Sequence, residues 1–405
     1  MRLLDTYQEV RGRTVALAAP LSAEDQMVQS MPEASPTKWH LAHTTWFFET
    51  FVLAPSGVAR IGDADYRFLF NSYYEGVGPH VDRAHRGRLS RPSLVEVHAY
   101  RRRVDEAVAA LCGRELEPAI VATLELGFAH EQQHQELILT DAKHALGTQP
   151  GRPPYREALA RPEEGTRPGS PRFRTFGEGV VSIGHDGGGF AFDNERPRHR
   201  TFVHGFALAD RPATCAEYLA FMRDGGYERP ELWLSEGWQR VQAERWRAPL
   251  YWEDRDGAWA LYTLGGLRPV DPDETVAHVS YFEADAFARW SGARLPTEQE
   301  WERAAADTPV AGPFAGSNRF HPGPARPGLF GDVWQWTRSP YAAYPGYRPP
   351  PGALGEYNGK FMCNQMVLRG GSCLTPDGHV RPTYRNFFPP EARWQMSGIR
   401  LARDA

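Results

Sequence analysis

His130 and His134 stand four residues apart in the stretch HEQQHQE at positions 130–136. A helix stacks side chains at i and i+4 on one face, so this spacing offers two imidazoles to one metal ion. Two ligands need a third. The stretch WHLAH at 39–43 supplies His43, on the apolar face shared with Phe47, or else His40 one turn back. Three neutral imidazoles on one side of a metal leave positions open opposite, an arrangement used in zinc hydrolysis and in non-haem Fe(II) oxygen chemistry. The same residues also satisfy HExxH, which would make Glu131 the general base of a zinc peptidase. No metzincin extension follows, and a downstream carboxylate ligand such as Glu157 would have to come from a proline-rich stretch.

The elements that must position these residues are helices. Periodicity predicts them over 3–18, from Thr37 toward Pro55, from Ser93 through Cys112 and from about Pro118 to Leu146. Ser35 before Pro36 reads as an N-cap, and Ser93 with Glu96 as a capping box. The connection 55–92 lacks helical periodicity. It carries Tyr73, Tyr74 and a basic stretch with Arg86, Arg88 and Arg91. Adjacent side chains in an extended chain point opposite ways, so only one of the two tyrosines is expected to face the site. Four helices with one long crossover make a bundle, whose metal sites form between facing helices.

The chain changes character after Gly147. Residues 151–173 form a linker rich in proline, with Pro153, Pro154, Pro162, Pro168 and Pro171. From 174 to 405 the pattern is mixed α+β. Short strands are predicted at 180–184 and 367–371, with helices from Cys215, Tyr281 and Thr297, the last capped by Thr297 with Glu300. The expected partition is therefore 1–150, linker 151–173, and 174–405.

Composition narrows the class. With 46 basic and 50 acidic residues in 405, net charge is −4 without long runs, which gives no nucleic-acid footprint. The N-terminus turns polar too early for a signal peptide, and no apolar run approaches a membrane span. Four cysteines without CxxC spacing suit a reducing compartment. A cytoplasmic enzyme with no nucleic-acid, membrane or obligate protein partner is expected.

The N-terminal half resembles the DinB-like helical domain of the sulfoxide synthases of ergothioneine biosynthesis, the EgtB family. The matching stretches are WHLAHTTWFFE at 39–49, FNSYYE at 70–75 and HEQQHQE at 130–136. The C-terminal half resembles the formylglycine-generating-enzyme fold, a C-type-lectin-like domain. Here the matches are ARLPTEQEWE at 293–302, GDVWQWT at 331–337, RGGS at 369–372 and GIRL at 398–401. Cys363 and Cys373 do not match the copper-binding pair of the formylglycine generators, which argues against that activity.

The resemblance implies an Fe(II) enzyme with His43, His130 and His134 on the metal. It implies a reaction in which O2 couples a cysteine-type thiol to the imidazole C2 of hercynine, Nα-trimethylhistidine, giving a sulfoxide. Gln133 matches the residue that holds the hercynine imidazole, since an amide both donates and accepts. Tyr73 and Tyr74 match tyrosines that donate protons. Arg86, Arg88 and Arg91 lie where the thiol substrate's carboxylate binds. Asn386 would bond the hercynine carboxylate, while Phe387 and Phe388 offer ring faces to its trimethylammonium. The loop 80–88 departs from the family's proline- and arginine-rich form. A selenoneine synthase, which joins hercynine to a selenosugar on the same scaffold, is therefore the alternative, with a selenol rather than a thiol as donor.

Overall fold

The structure, a computed structural model, describes residues 3–157, 159 and 167–405. Part of the expected linker, including Pro162, lies outside the described residues. The chain forms two compact units: Met1–Tyr155 with Pro349–Tyr357, and Arg156–Arg348 with Asn358–Ala405. The segment Pro349–Tyr357 is thus part of the first unit, although it lies within the sequence range expected for the second domain.

The first unit is helical: α1 (Leu3–Ala18), α2 (Thr37–Phe48), the single turn α3 (Tyr66–Leu69), α4 (Leu94–Cys112) and α5 (Pro118–Gly147). α1 packs on α5, and α2 packs on both α4 and α5. Every residue of α2 is buried, so this helix is the centre of the bundle rather than one amphipathic wall of it. Gly127 sets how closely α2 and α5 approach, because a Cβ there would come within 2.5 Å of the Phe48 ring. α2 continues into a π-helical turn at Glu49–Leu53.

The expected capping box is present: the Ser93 side chain accepts the Glu96 N–H, and the Glu96 carboxylate accepts the Ser93 N–H at 2.7 Å. Ser35 is not an N-cap. The residue flanking α2 is Pro36, and the Ser35 hydroxyl instead accepts from Arg86 Nη1 at 3.0 Å, while its N–H donates to Asp141. Among the described residues no helix is long and apolar enough to cross a membrane.

The second unit is α+β. Its strands are short. Phe173–Phe176 and Ala402–Asp404 flank Phe206–Ala209 in an antiparallel sheet, so the unit's first strand and the chain's last share one neighbour. A four-stranded sheet takes the order Asn386–Phe388, Met366–Arg369, Trp334–Pro340, Ser397–Gly398, with only the last pair parallel. The helices are α6 (Cys215–Arg223), α7 (Ser235–Glu244), α8 (Tyr281–Trp290) and α9 (Glu298–Ala305). The expected Thr297–Glu300 box opens α9. Sequence reading had no counterpart for α7, whose Trp238 and Val241 give it only a thin apolar stripe.

The four sequence signatures of this unit meet in one buried polar network. Glu298 accepts from Arg385 Nε and from Arg369 Nη2, each at 2.8 Å. Trp301 Nε1 donates to Gln335 Oε1 at 2.7 Å, and Arg400 Nε donates to the same oxygen at 2.6 Å. Gly370, at φ +100°, brings its backbone onto the Gln335 amide, leaving no room for a Cβ. These motif residues hold the fold.

Burial alone would raise the Glu298 carboxyl, but the Arg385 and Arg369 guanidiniums hold it below the usual carboxylate range. A depressed folded value means the stabilisation is present above the unfolded value of about 4.3 and is lost as pH falls through the folded one. Glu298→Gln should therefore cost about 3 kcal/mol at pH 7, by leaving the buried Arg385 guanidinium without its carboxylate and Arg369 with Glu302 as its partner. In urea melts, the gap from wild type should close as the pH is lowered below about 4.

Candidate metal centre

α5 presents three functions on three of its faces. One face carries His130 and His134, and Asp141 follows on it seven residues on. A ring nitrogen from each of His43, His130 and His134 lies within 4.8 Å of the others. His43 Nε2 is 3.1 Å from His130 Nε2. Metal–nitrogen bonds of about 2.1 Å meeting near a right angle would place two nitrogens about 3 Å apart, so the spacing fits one shared cation.

The surroundings hold these rings neutral. Burial pushes His43 and His134 well below the ordinary histidine value and His130 down to about 3. His43 donates from Nδ1 to the Phe70 carbonyl at 2.6 Å, which leaves its Nε2 lone pair for the centre. The His43 ring stacks with Trp39 at 4.5 Å and with Trp46 at 5.6 Å. His130 lies on Phe47 at 4.3 Å, and among the described residues its Nδ1 has no hydrogen-bond partner. His40, the rival third ligand, turns away: Nδ1 meets His134 Nδ1 at 2.8 Å and Nε2 meets Asp141 at 3.1 Å.

A second face carries Glu131, buried on the side of α5 toward α1 and α4. It accepts from Arg11 Nη1 at 2.9 Å and from Arg101 Nη2. Burial would raise its carboxyl, but Arg101 and Arg11 hold it at about 2. A carboxylate so engaged cannot take a proton from a metal-bound water, and the HExxH peptidase reading fails on this geometry.

The third face carries Gln133. Its Oε1 accepts from the Tyr357 hydroxyl at 2.5 Å, and the Tyr357 ring meets His130 edge-on at 5.8 Å. Tyr357 escaped sequence reading. It lies 224 residues downstream in a proline- and glycine-rich stretch, with no local signal beyond being an aromatic in a loop.

Tyr73 and Tyr74 do not point opposite ways. Asn71 Oδ1 accepts the Tyr74 N–H at 3.0 Å, turning the chain and setting the two rings 4.6 Å apart. Tyr74 is fully buried, beside Phe51 and Trp46, while Tyr73 is half-buried with its hydroxyl 3.5 Å from the Tyr357 carbonyl oxygen. Glu356 accepts the next two backbone N–H groups, those of Glu75 and Gly76.

The three loop arginines separate. Arg86 is buried with its guanidinium 3.6 Å over the Trp39 ring, and it also donates to Ser72 O at 3.3 Å. Arg88 and Arg91 are exposed. In the second unit, Phe387 stacks on Tyr341 at 4.0 Å and Phe388 meets Trp394 edge-on at 5.9 Å. Asn386 is half-buried, with its Oδ1 accepting the Phe387 N–H at 2.9 Å.

Residues 167–328 and 326–405 match the sulfatase-modifying factor enzyme 1-like domain family. Over nearly the whole chain, 32% of residues are identical to the hercynine oxygenase of Mycolicibacterium thermoresistibile, with 98% of this chain and 93% of that protein covered. The chain belongs to the hercynine oxygenase family. Its hercynine oxygenase relatives in Mycolicibacterium smegmatis and Mycobacterium tuberculosis are 31% and 32% identical, covering 99% and 97% of this chain and 98% and 96% of theirs.

Glu131→Gln should cost the protein about 3 kcal/mol by stranding the buried Arg101 charge and leaving Arg11 with Asp105 as its carboxylate, read as a lowered urea midpoint with unchanged m-value.

Proposed function

We propose that the three-histidine centre holds the Fe(II) of a hercynine-oxidising sulfoxide synthase. In that reaction hercynine, a thiol RSH and O2 give the C2–S(=O)–R product and one water. The enzyme is a non-haem iron oxidoreductase of the hercynine oxygenase family, and its assignment rests on near-full-length identity together with three neutral imidazoles around one point. Bound iron supplies the O2 activation and redox steps that no side chain here can perform.

The remaining roles belong to the chain's own residues. Gln133 orients the hercynine imidazole. The Tyr357 phenol takes the carbonyl end of its amide and so fixes which end donates. Tyr73 and Tyr74 supply a proton: Tyr74 is one ring removed from His43, through Trp46, and the Tyr73 ring lies against that of Tyr74. Burial raises the Tyr74 phenol well above its ordinary value, keeping it a protonated donor and never a base. Arg86, with Arg88 and Arg91 further out, meets the donor's carboxylate. Asn386, Phe387 and Phe388 take the carboxylate and trimethylammonium of hercynine, a role their resemblance supports. The partners are small molecules, in a cytoplasmic setting that suits the free thiols of all four cysteines.

One observation favours a second reading of the donor. Arg86 already donates to Ser35 and Ser72 and stacks on Trp39, so part of its guanidinium is engaged within the helical unit. A donor without a carboxylate, such as a selenosugar, makes less demand on it.

Anaerobic loading with Fe(II) and hercynine, then O2 with cysteine, γ-glutamylcysteine or a selenosugar offered separately, decides the donor from product masses. Sulfoxide from a thiol is expected, and turnover with the selenosugar alone would replace that reading. Tyr357→Phe should raise the hercynine KM about fivefold, the loss of roughly 1 kcal/mol from one hydrogen bond. Of Tyr73→Phe and Tyr74→Phe, one should divert turnover from coupling to thiol oxidation. Full coupling in both would place the acid elsewhere.

A further inference from the structure

His40 and Asp141 stand outside the ligand set and touch it at one atom. Asp141 Oδ2 accepts the Ser35 backbone N–H at 2.9 Å and faces His40 Nε2 at 3.1 Å. An ionised carboxylate oxygen only accepts, so the His40 hydrogen is on Nε2. The lone pair of that neutral ring is then on Nδ1, which meets His134 Nδ1 at 2.8 Å. Two nitrogens at that distance share one hydrogen, and His40 has none left to give there. It comes from His134, whose Nε2 is thereby left with its lone pair for the metal.

We propose that Asp141 and His40 form a positioning relay that fixes the tautomer and ring orientation of His134 and strengthens it as a metal ligand. The inference rests on the three-histidine reading of the centre. Its geometry binds two helices at once: His40 precedes His43 by one turn on α2, and Asp141 follows His134 by two turns on α5. Both are buried, so no water competes for the chain of hydrogen bonds. The three ligands are then unequal. His134 hydrogen-bonds through His40 to a carboxylate, His43 to a neutral carbonyl, and His130 has no partner on Nδ1 among the described residues. His40 is a positioning residue, since both its nitrogens are engaged away from the open side of the centre.

The test titrates metal-free protein anaerobically with Fe(II), and with Co(II) as a visible-absorption probe, in His40→Leu, His40→Asn, Asp141→Asn and His134→Ala. Asparagine places an amide oxygen where His40 Nδ1 sits, so it can still accept from His134. His40→Leu should weaken metal binding about 10–100-fold and shift the Co(II) ligand-field bands. His40→Asn should recover much of that loss, and Asp141→Asn should fall between wild type and His40→Leu. Melting of the metal-free proteins identifies any variant that fails to fold. A folded His40→Leu protein with wild-type affinity and an unchanged Co(II) spectrum overturns the relay, as do equal losses in the leucine and asparagine variants. If His134→Ala binds metal like wild type, the ligand set itself is wrong. If it loses metal while His40→Leu does not, the relay alone fails.

Discussion

The helical unit is tied together by one buried charge. Glu131 sits in the middle of α5 with guanidiniums from α1 and α4 on its two oxygens. Arg11 reaches on to Thr45 of α2 at 3.0 Å and to Asp105 at 2.7 Å, while Arg101 donates to Thr44. Four helices are thereby referred to one carboxylate. An ionised group in that position tolerates little rotation of α5, because turning the helix would separate the charges in a medium that screens them poorly. His130 is the adjacent residue, so the interaction that locks the helix also aims the metal face.

That division explains how one stretch serves several ends. Successive residues of a helix point about a third of a turn apart. His130 and His134 look to α2, Glu131 and Gln135 to α1, and Gln133 to Tyr357. Gln135 donates to the Val10 carbonyl and to Thr14, extending the grip on α1 by one turn. A motif of the zinc-protease form thus comes apart into a ligand pair and a structural anion.

What was legible in the sequence was what depends on local periodicity or on a short signature. The i, i+4 histidines, the capping boxes at Ser93 and Thr297 and the extent of α5 all belong to that class. The choice between His40 and His43 did not. Both ride on one helix, and only Asp141, about a hundred positions away, draws His40 aside. Ser35 looked like a helix cap by local rules, yet Arg86 and Asp141 offered it better-placed partners. The tyrosine pair misled for a similar reason: the Asn71 side chain bends a segment whose composition reads as extended. In the second unit the signatures recognised the family correctly, but what they mark is a framework of buried hydrogen bonds and ion pairs.

The discontinuity of the first unit bears on how such a protein could arise and be re-engineered. A two-cassette chain invites recombination at the linker, each half exchanged as an independent module. Here a cut after Tyr155 would keep His43, His130 and His134 and discard Pro349–Tyr357, and with it the phenol on Gln133 and the carboxylate that receives the backbone after Tyr74. A chimera assembled at that junction inherits its helices from one parent and part of their wall from the other. Successful shuffling must therefore carry the two pieces together, which makes the segment a unit of co-inheritance despite its distance along the gene.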